Sequence, residues 1–152
     1  MDNFGFIHGE LDTKLLILFI LRRLPRPVDG DTLTELCFCD TGVSWFEYSQ
    51  CLADLVDTGH IDKLENGRYM ITEKGDRNCA ATESSLPYSV RTKAERLIKP
   101  IAAQMKRDAL IVTEHRVEKN GCFVKLSLSD GEGDIINMTV LVSDEACAQD
   151  IE

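Results

Sequence analysis

Three histidines, six cysteines and one well-placed serine are the residues of this 152-residue chain that could do chemistry. A catalytic site needs titratable groups that converge on one point. His8, His60 and His115 fall in an N-terminal arm, a short strand and a longer strand, far apart in the chain. Ser44 is better explained as a helix cap than as a nucleophile, and the 26 acidic residues are scattered as on a solvated surface. The chain is therefore expected not to be an enzyme. Cys37, Cys39, Cys51, Cys79, Cys122 and Cys147 contain no C-x-x-C pair, and the histidines are far from them, so no metal and no cofactor is expected. They read as reduced thiols packing as small apolar groups. A redox switch at Cys37 and Cys39 is the sharper alternative.

The chemistry that remains is recognition, and the elements that would position it lie between Thr41 and Gly75. Ser44-Trp45-Phe46-Glu47 fits a capping box, with Ser44 accepting from the N–H of Glu47 and Glu47 reaching back. Behind it Tyr48, Leu52, Leu55 and Val56 share one helix face, and Trp45 extends it. Gly59 marks the helix end. Two short apolar runs, 60–64 and 68–71, flank Asn66-Gly67, a two-residue hairpin signal because both central positions of that turn favour positive φ. Thr72 is placed to cap the next helix, and Gly75 allows a close approach.

Leu52-x-x-Leu55-Val56-x-x-Gly59-x-Ile61, followed by Tyr69-x-Ile71-Thr72-x-x-Gly75, resembles the recognition helix, wing and exit of bacterial winged-helix regulators of the MarR and PadR kind. The whole chain resembles a family of short bacterial proteins of unknown function expected to be transcriptional regulators. The resemblance implies a winged helix-turn-helix that binds duplex DNA, probed at low specificity by the motif itself, which fixes a fold and no target. On that reading the base-facing residues are Thr41, Ser44, Glu47, Ser49 and Gln50, where Gln50 suits adenine and Glu47 suits cytosine, and the phosphate-facing residues are Lys63 and Arg68 of the wing.

Charge sets a second reading beside the first. The net charge is −9, with 8 Lys/Arg against 15 Asp/Glu in residues 1–84, which opposes non-specific phosphate contact. From Thr41 to Thr58 there is no Lys or Arg, while Glu47, Asp54 and Asp57 are present. A winged helix that has left DNA for a protein partner fits this balance, and Trp45 and Tyr48 are then either core anchors or a protein-facing aromatic patch. A third reading is a ligand-sensing regulator that uses the C-terminal sheet.

The remaining elements follow in order. Residues 1–10 read as a loose arm. Leu11 to Leu21 is apolar almost all round, so this helix is either buried among the others or shared with a second copy through Leu15, Leu18 and Phe19. A homodimer is expected. Thr32-Leu33-Thr34-Glu35 reads as a second capping box that opens a short helix, so the helix-turn-helix spans about 31–58. After a hinge at 84–87, an amphipathic linker helix over 85–107 carries Val90, Ala94, Leu97, Ile98, Ile101, Ala102 and Met105 on one stripe. Pro100 should kink it or start a second helix. Six basic residues between 91 and 107 lie mostly off that stripe, as a solvated face or a phosphate-facing one. From Ala109 the period becomes two, and Asn120-Gly121 and Asp130 to Gly133 supply turns, which predicts a three-stranded antiparallel meander covered by the 88–107 helix. The tail from Asp144 reads as acidic and frayed.

The expected class is therefore α+β: an N-terminal winged helix-turn-helix at 1–84, a linker helix at 85–107, and a small three-stranded antiparallel sheet with its tail at 108–152. Asp2 and Glu10 stand where a signal peptide would be basic, and Leu15 to Leu21 is too short to span a bilayer, so no membrane association and a cytoplasmic location are expected.

Overall fold

The computed structural model describes residues 5–130 and 132–151 and divides into two compact units, Met1–Ala103 and Gln104–Glu152. It is α+β, with helices first and a three-stranded antiparallel sheet at the C-terminal end.

The first unit is built on α1 (Gly9–Arg23). Its first turn holds Glu10 and Asp12 and its last turn Arg22 and Arg23, the order that complements a helix dipole. Every residue from Leu15 to Leu21 is at most 6% exposed. Each such side chain contributes about 1.5–3 kcal/mol of burial. Leu15, Leu18 and Phe19 therefore offer no surface to a second copy, contrary to the expectation that this helix needs one. The cover comes from the same chain: α1 packs against α2, α3, α4 and β2, and the Arg23 guanidinium lies 3.5 Å from the Phe19 ring centre.

α2 (Gly30–Cys37) starts earlier than the Thr32 box predicts. Asp29 is the cap; its Oδ1 accepts from Thr32 N at 2.8 Å and its Oδ2 from the Thr32 hydroxyl at 3.0 Å, so Thr32 lies inside the first turn. α3 (Trp45–Asp57) is capped by Ser44, whose Oγ accepts from Glu47 N at 3.2 Å. It ends at Gly59 (φ +73°), with His60 N donating to Leu55 O and Gly59 N to Val56 O, a Schellman pair.

β1 (Ile61–Lys63) pairs antiparallel with β2 (Tyr69–Ile71). Their loop is one residue longer than the Asn-Gly pattern predicts. Leu64 and Arg68 close it, Gly67 N donates to Leu64 O at 2.9 Å, and Gly67 alone has positive φ (+78°). Asn66 instead accepts from Arg68 N at 3.1 Å through its side chain. This is the three-residue form, a turn followed by a left-handed glycine. Val28 adds a further rung, exchanging backbone hydrogen bonds with Tyr69 at 3.0 and 2.8 Å. α4 (Glu73–Thr82) is capped by Thr72 as expected, and at Gly75 a Cβ would stand 2.2 Å from His60 O. A 3₁₀ turn, Glu83–Ser85, follows.

α5 (Tyr88–Ala109) runs unbroken through Pro100, so no second helix starts there. Its Val90, Ala94 and Ile98 are buried. The unit boundary falls inside α5, after Ala103, where three segments were expected. Residues 5–10 are not a loose arm either. Ile7 is buried and donates its N–H to Asp40 at 3.0 Å, and Ser89 donates to Gly5 O at 3.1 Å.

In the second unit β3 (Ile111–Glu118), β4 (Gly121–Ser129) and β5 (Asp134–Val142) form the meander in that order. Of the expected Asp130 to Gly133 turn, Gly131 lies outside the described residues; Asp130 Oδ1 accepts from the N–H groups of Glu132 and Gly133, both at 2.9 Å. The chain after Asp144 is not frayed. Asp144 accepts from Cys147 N at 2.8 Å and opens α6 (Glu145–Ile151). α6 lays Ala148 on Cys122 and Val124, so one end of the sheet's apolar face is packed from within its own unit.

Candidate functional site

The first unit presents a groove of about 510 Å³ between α2, α3 and the β1–β2 hairpin. Trp45, Tyr48 and Val56 of α3 form its apolar wall, Tyr69 and Lys63 its hairpin wall, and Asp31 and Asp57 its acidic rim. The helical period explains this. Tyr48, Cys51 and Leu55 point into the core, so residues at 45, 49, 52, 53 and 56 turn toward the hairpin.

An aromatic cluster stands at the start of α3. Phe38 and Tyr48 meet edge-on with ring centres 5.8 Å apart, and Trp45 lies 6.2 Å from Phe38 and 6.0 Å from Tyr48. Tyr48 is the core anchor. Burial pushes its phenol pKa upward, and its hydroxyl lies 3.2 Å from Thr34 Oγ1. Trp45 is 64% exposed and its neighbour Phe46 81% exposed. Of the two, Tyr48 is thus in the core, while Trp45 stands on the surface.

The sequence-predicted recognition residues are on the surface but largely engaged. Thr41, Ser44, Ser49, Gln50, Lys63 and Arg68 are exposed, and Glu47 is half-buried. Ser44 Oγ is used by the cap, and Ser49 Oγ donates to Trp45 O at 2.9 Å. Gln50 Nε2 donates to Asp54 Oδ1 at 3.0 Å, and Asp54 in turn pairs with Lys14 at 3.0 Å. The hydrogen bonds from Lys14 and Gln50 hold the Asp54 carboxyl below the usual range. On the hairpin Lys63 Nζ lies 5.7 Å from the Tyr69 ring centre. Arg68 is near enough to help lower the Asp29 carboxyl, chiefly held down by Thr32 N–H. Of the basic residues of α5, Lys93 is committed to Asp40 at 3.1 Å.

The model of a domain of unknown function, DUF4364, matches residues 13–152, which include every part of this groove. The chain belongs to the DUF4364 family. No curated protein and no solved structure matches it. Two features of this DUF4364 chain escape a reading of its sequence. Phe38 and Phe46 join the aromatic surface, which the run Trp45-Phe46 directly after a cap could have signalled, since one of two adjacent helical residues must leave the buried stripe. The Val28–Tyr69 rung has no local signal, because a single residue pairs there. Among the described residues, no helix of this DUF4364 chain is long and apolar enough to cross a membrane, and no group of His, Cys, Asp and Glu is placed to hold a metal ion.

Proposed function

We propose that the first unit is a winged helix whose α3–hairpin groove docks a protein segment carrying an apolar side chain flanked by Lys or Arg. The order α1-α2-α3-β1-β2, with Val28 joining the hairpin, supports the winged-helix reading. The observation that carries the choice of partner is the exposed pair Trp45 and Phe46 on a helix that has no basic residue. Exposed aromatic side chains mark protein interfaces, and their burial drives them. DNA binding, by contrast, takes most of its affinity from phosphate contacts by Lys and Arg, and α2 and α3 offer Asp31 and Asp57 beside the groove instead. This reading places the protein in the cytoplasm, where its six thiols stay reduced.

A second reading keeps the DNA-binding regulator, and the exposed Lys63 and Arg68 on the hairpin favour it. There Thr41, Ser44, Glu47, Ser49 and Gln50 would face base edges while the hairpin touched backbone. One pair of measurements separates the two. Fluorescence anisotropy with duplex DNA at low salt should show no binding. Pull-down from nuclease-treated extract should retain a partner that Trp45→Ala loses. DNA binding that Arg68→Ala abolishes would overturn the protein-docking reading in favour of the other. A ligand-sensing role for the sheet has as support only the open surface around Phe123, Lys125 and Thr139.

A further inference from the structure

The two edges of the C-terminal sheet are built differently. β3, at one edge, carries Glu114, Arg116 and Glu118, with Lys119 just beyond it. Charged side chains on an edge strand discourage pairing with another chain. β5, at the other edge, has one charge, Asp134 at its start, and from Ile135 to Val142 it has neither charge nor proline. No strand lies beyond β5 among the described residues. Its irregularity, a register shift opposite Leu128 and Ser129, is confined to the Asp134 end. The strand exposes apolar side chains on both faces, Ile136 and Met138 (51% and 49% exposed) on one and Ile135 and Leu141 (60% and 61%) on the other, the latter pair separated by Asn137 and Thr139.

We propose that the β5 edge pairs antiparallel with the β5 edge of a second copy, joining two sheets into one. The occupant follows from the strand's own sequence. A two-fold axis at Met138 sets Ile135 opposite Leu141 and Ile136 opposite Val140, and it sets Asp134 opposite Val142 rather than opposite another carboxylate. Every exposed apolar side chain of the strand then meets an apolar one, which is the self-complementarity an isologous contact needs. The same axis brings the end of each sheet that α6 covers, at Cys122 and Val142, beside the open end of the other, at Ile111, Leu128 and Ile136. The pairing is independent of what the α3 groove binds.

The test is the mass of the full chain by light scattering at micromolar concentration, with three variants. The wild type and Val112→Lys, on the opposite edge, are expected at twice the monomer mass. Met138→Lys is expected at the monomer mass with an unchanged circular dichroism spectrum. Met138→Cys is expected to cross-link to its own copy through position 138 under mild oxidation, read by peptide mass spectrometry, which decides the matter if the lysine variant does not fold. A monomeric wild type, a dimeric Met138→Lys chain, or a dimer whose Met138→Cys form does not cross-link at that position overturns the proposal.

Discussion

Lys93 Nζ lies 3.1 Å from Asp40 Oδ1, on a carboxylate whose side chain is wholly buried while the lysine is about half exposed. The other oxygen accepts from Ile7 N at 3.0 Å and Gly42 N at 3.2 Å. Asp40 thus ties three pieces of chain together: the segment before α1, the turn into α3, and α5. Burial pushes its carboxyl up, but the Ile7 N–H, Lys93 and the Gly42 N–H together hold it below the usual range.

The two partners should therefore not be equivalent. Asp40→Ala strands the buried Ile7 N–H and the partly buried Gly42 N–H and is expected to cost about 1–3 kcal/mol in a denaturation series, the scale of one unsatisfied buried donor. Lys93→Ala leaves those bonds in place, and its ammonium is half in solvent, so a loss below about 1 kcal/mol is expected. Equal losses from the two would show that the ion pair, not the backbone bonds, is what Asp40 provides.

His60 should make stability fall on mild acidification. Its Nδ1 lies 2.8 Å from Thr58 Oγ1 and its Nε2 2.7 Å from Asn78 Nδ2. Asn78 donates, so Nε2 accepts, and Nδ1–H is left to donate to Thr58, whose own hydroxyl donates to Asp54 O at 2.7 Å. The ring is neutral, and burial, with Lys74 nearby, depresses its pKa. The folded state then binds fewer protons than the unfolded one. The histidine's contribution is present above the unfolded value of about 6.5 and is lost as pH falls through the folded value. Melting temperatures measured across that window should drop for the wild type and drop less for His60→Gln.

Gly75→Ala should weaken the joint between α4 and the hairpin. The added methyl would meet the His60 carbonyl at 2.2 Å, and backbone must move to admit it. An overpacking cost of about 1–3 kcal/mol is expected in thermal unfolding.

Trp45 and Tyr48 should separate cleanly on substitution. Trp45→Ala removes an exposed ring and is expected to change stability by less than about 1 kcal/mol. Tyr48→Ala empties a core position and is expected to cost about 3–5 kcal/mol. Since Trp45 is the single tryptophan, its emission should shift when the groove is filled.

The thiols should rank by exposure. Burial raises Cys39, Cys51 and Cys79 to about 11, and it also pushes Cys37 well above the ordinary thiol value. Cys147 is exposed. A thiol reagent at neutral pH should label Cys147 first and Cys37 last, because thiolate is the reactive form. Rapid labelling of Cys37 would revive the idea of a redox pair with Cys39.

Caps and periodicities made much of this fold legible. Ser44 and Thr72 cap where their side chains said they would, because a cap needs only a hydroxyl and an N–H three residues on. The meander followed from alternation over 109–142. What stayed hidden depended on distance in the chain. The residue that opens α2 is Asp29 and not Thr32, since both can cap and only packing decides. The covering of α1 needed four later elements to be placed. Ala148 gave no sign of covering one end of the sheet, because one small residue in an acidic tail has no period. At the groove, the polar residues were visible from helix spacing, but their engagement with Trp45 O and Asp54 was not.

The closed surroundings of α1 carry a cost in time. That helix is made first, while its cover, from Gly30 to Ser85, is made after it. At roughly 5–20 residues per second the emerging peptide carries its greasiest stretch naked for about 3–12 s. Ribosome-bound chains halted before Tyr69 should therefore be held by chaperones that grip apolar segments, and chains halted past Ser85 should be let go.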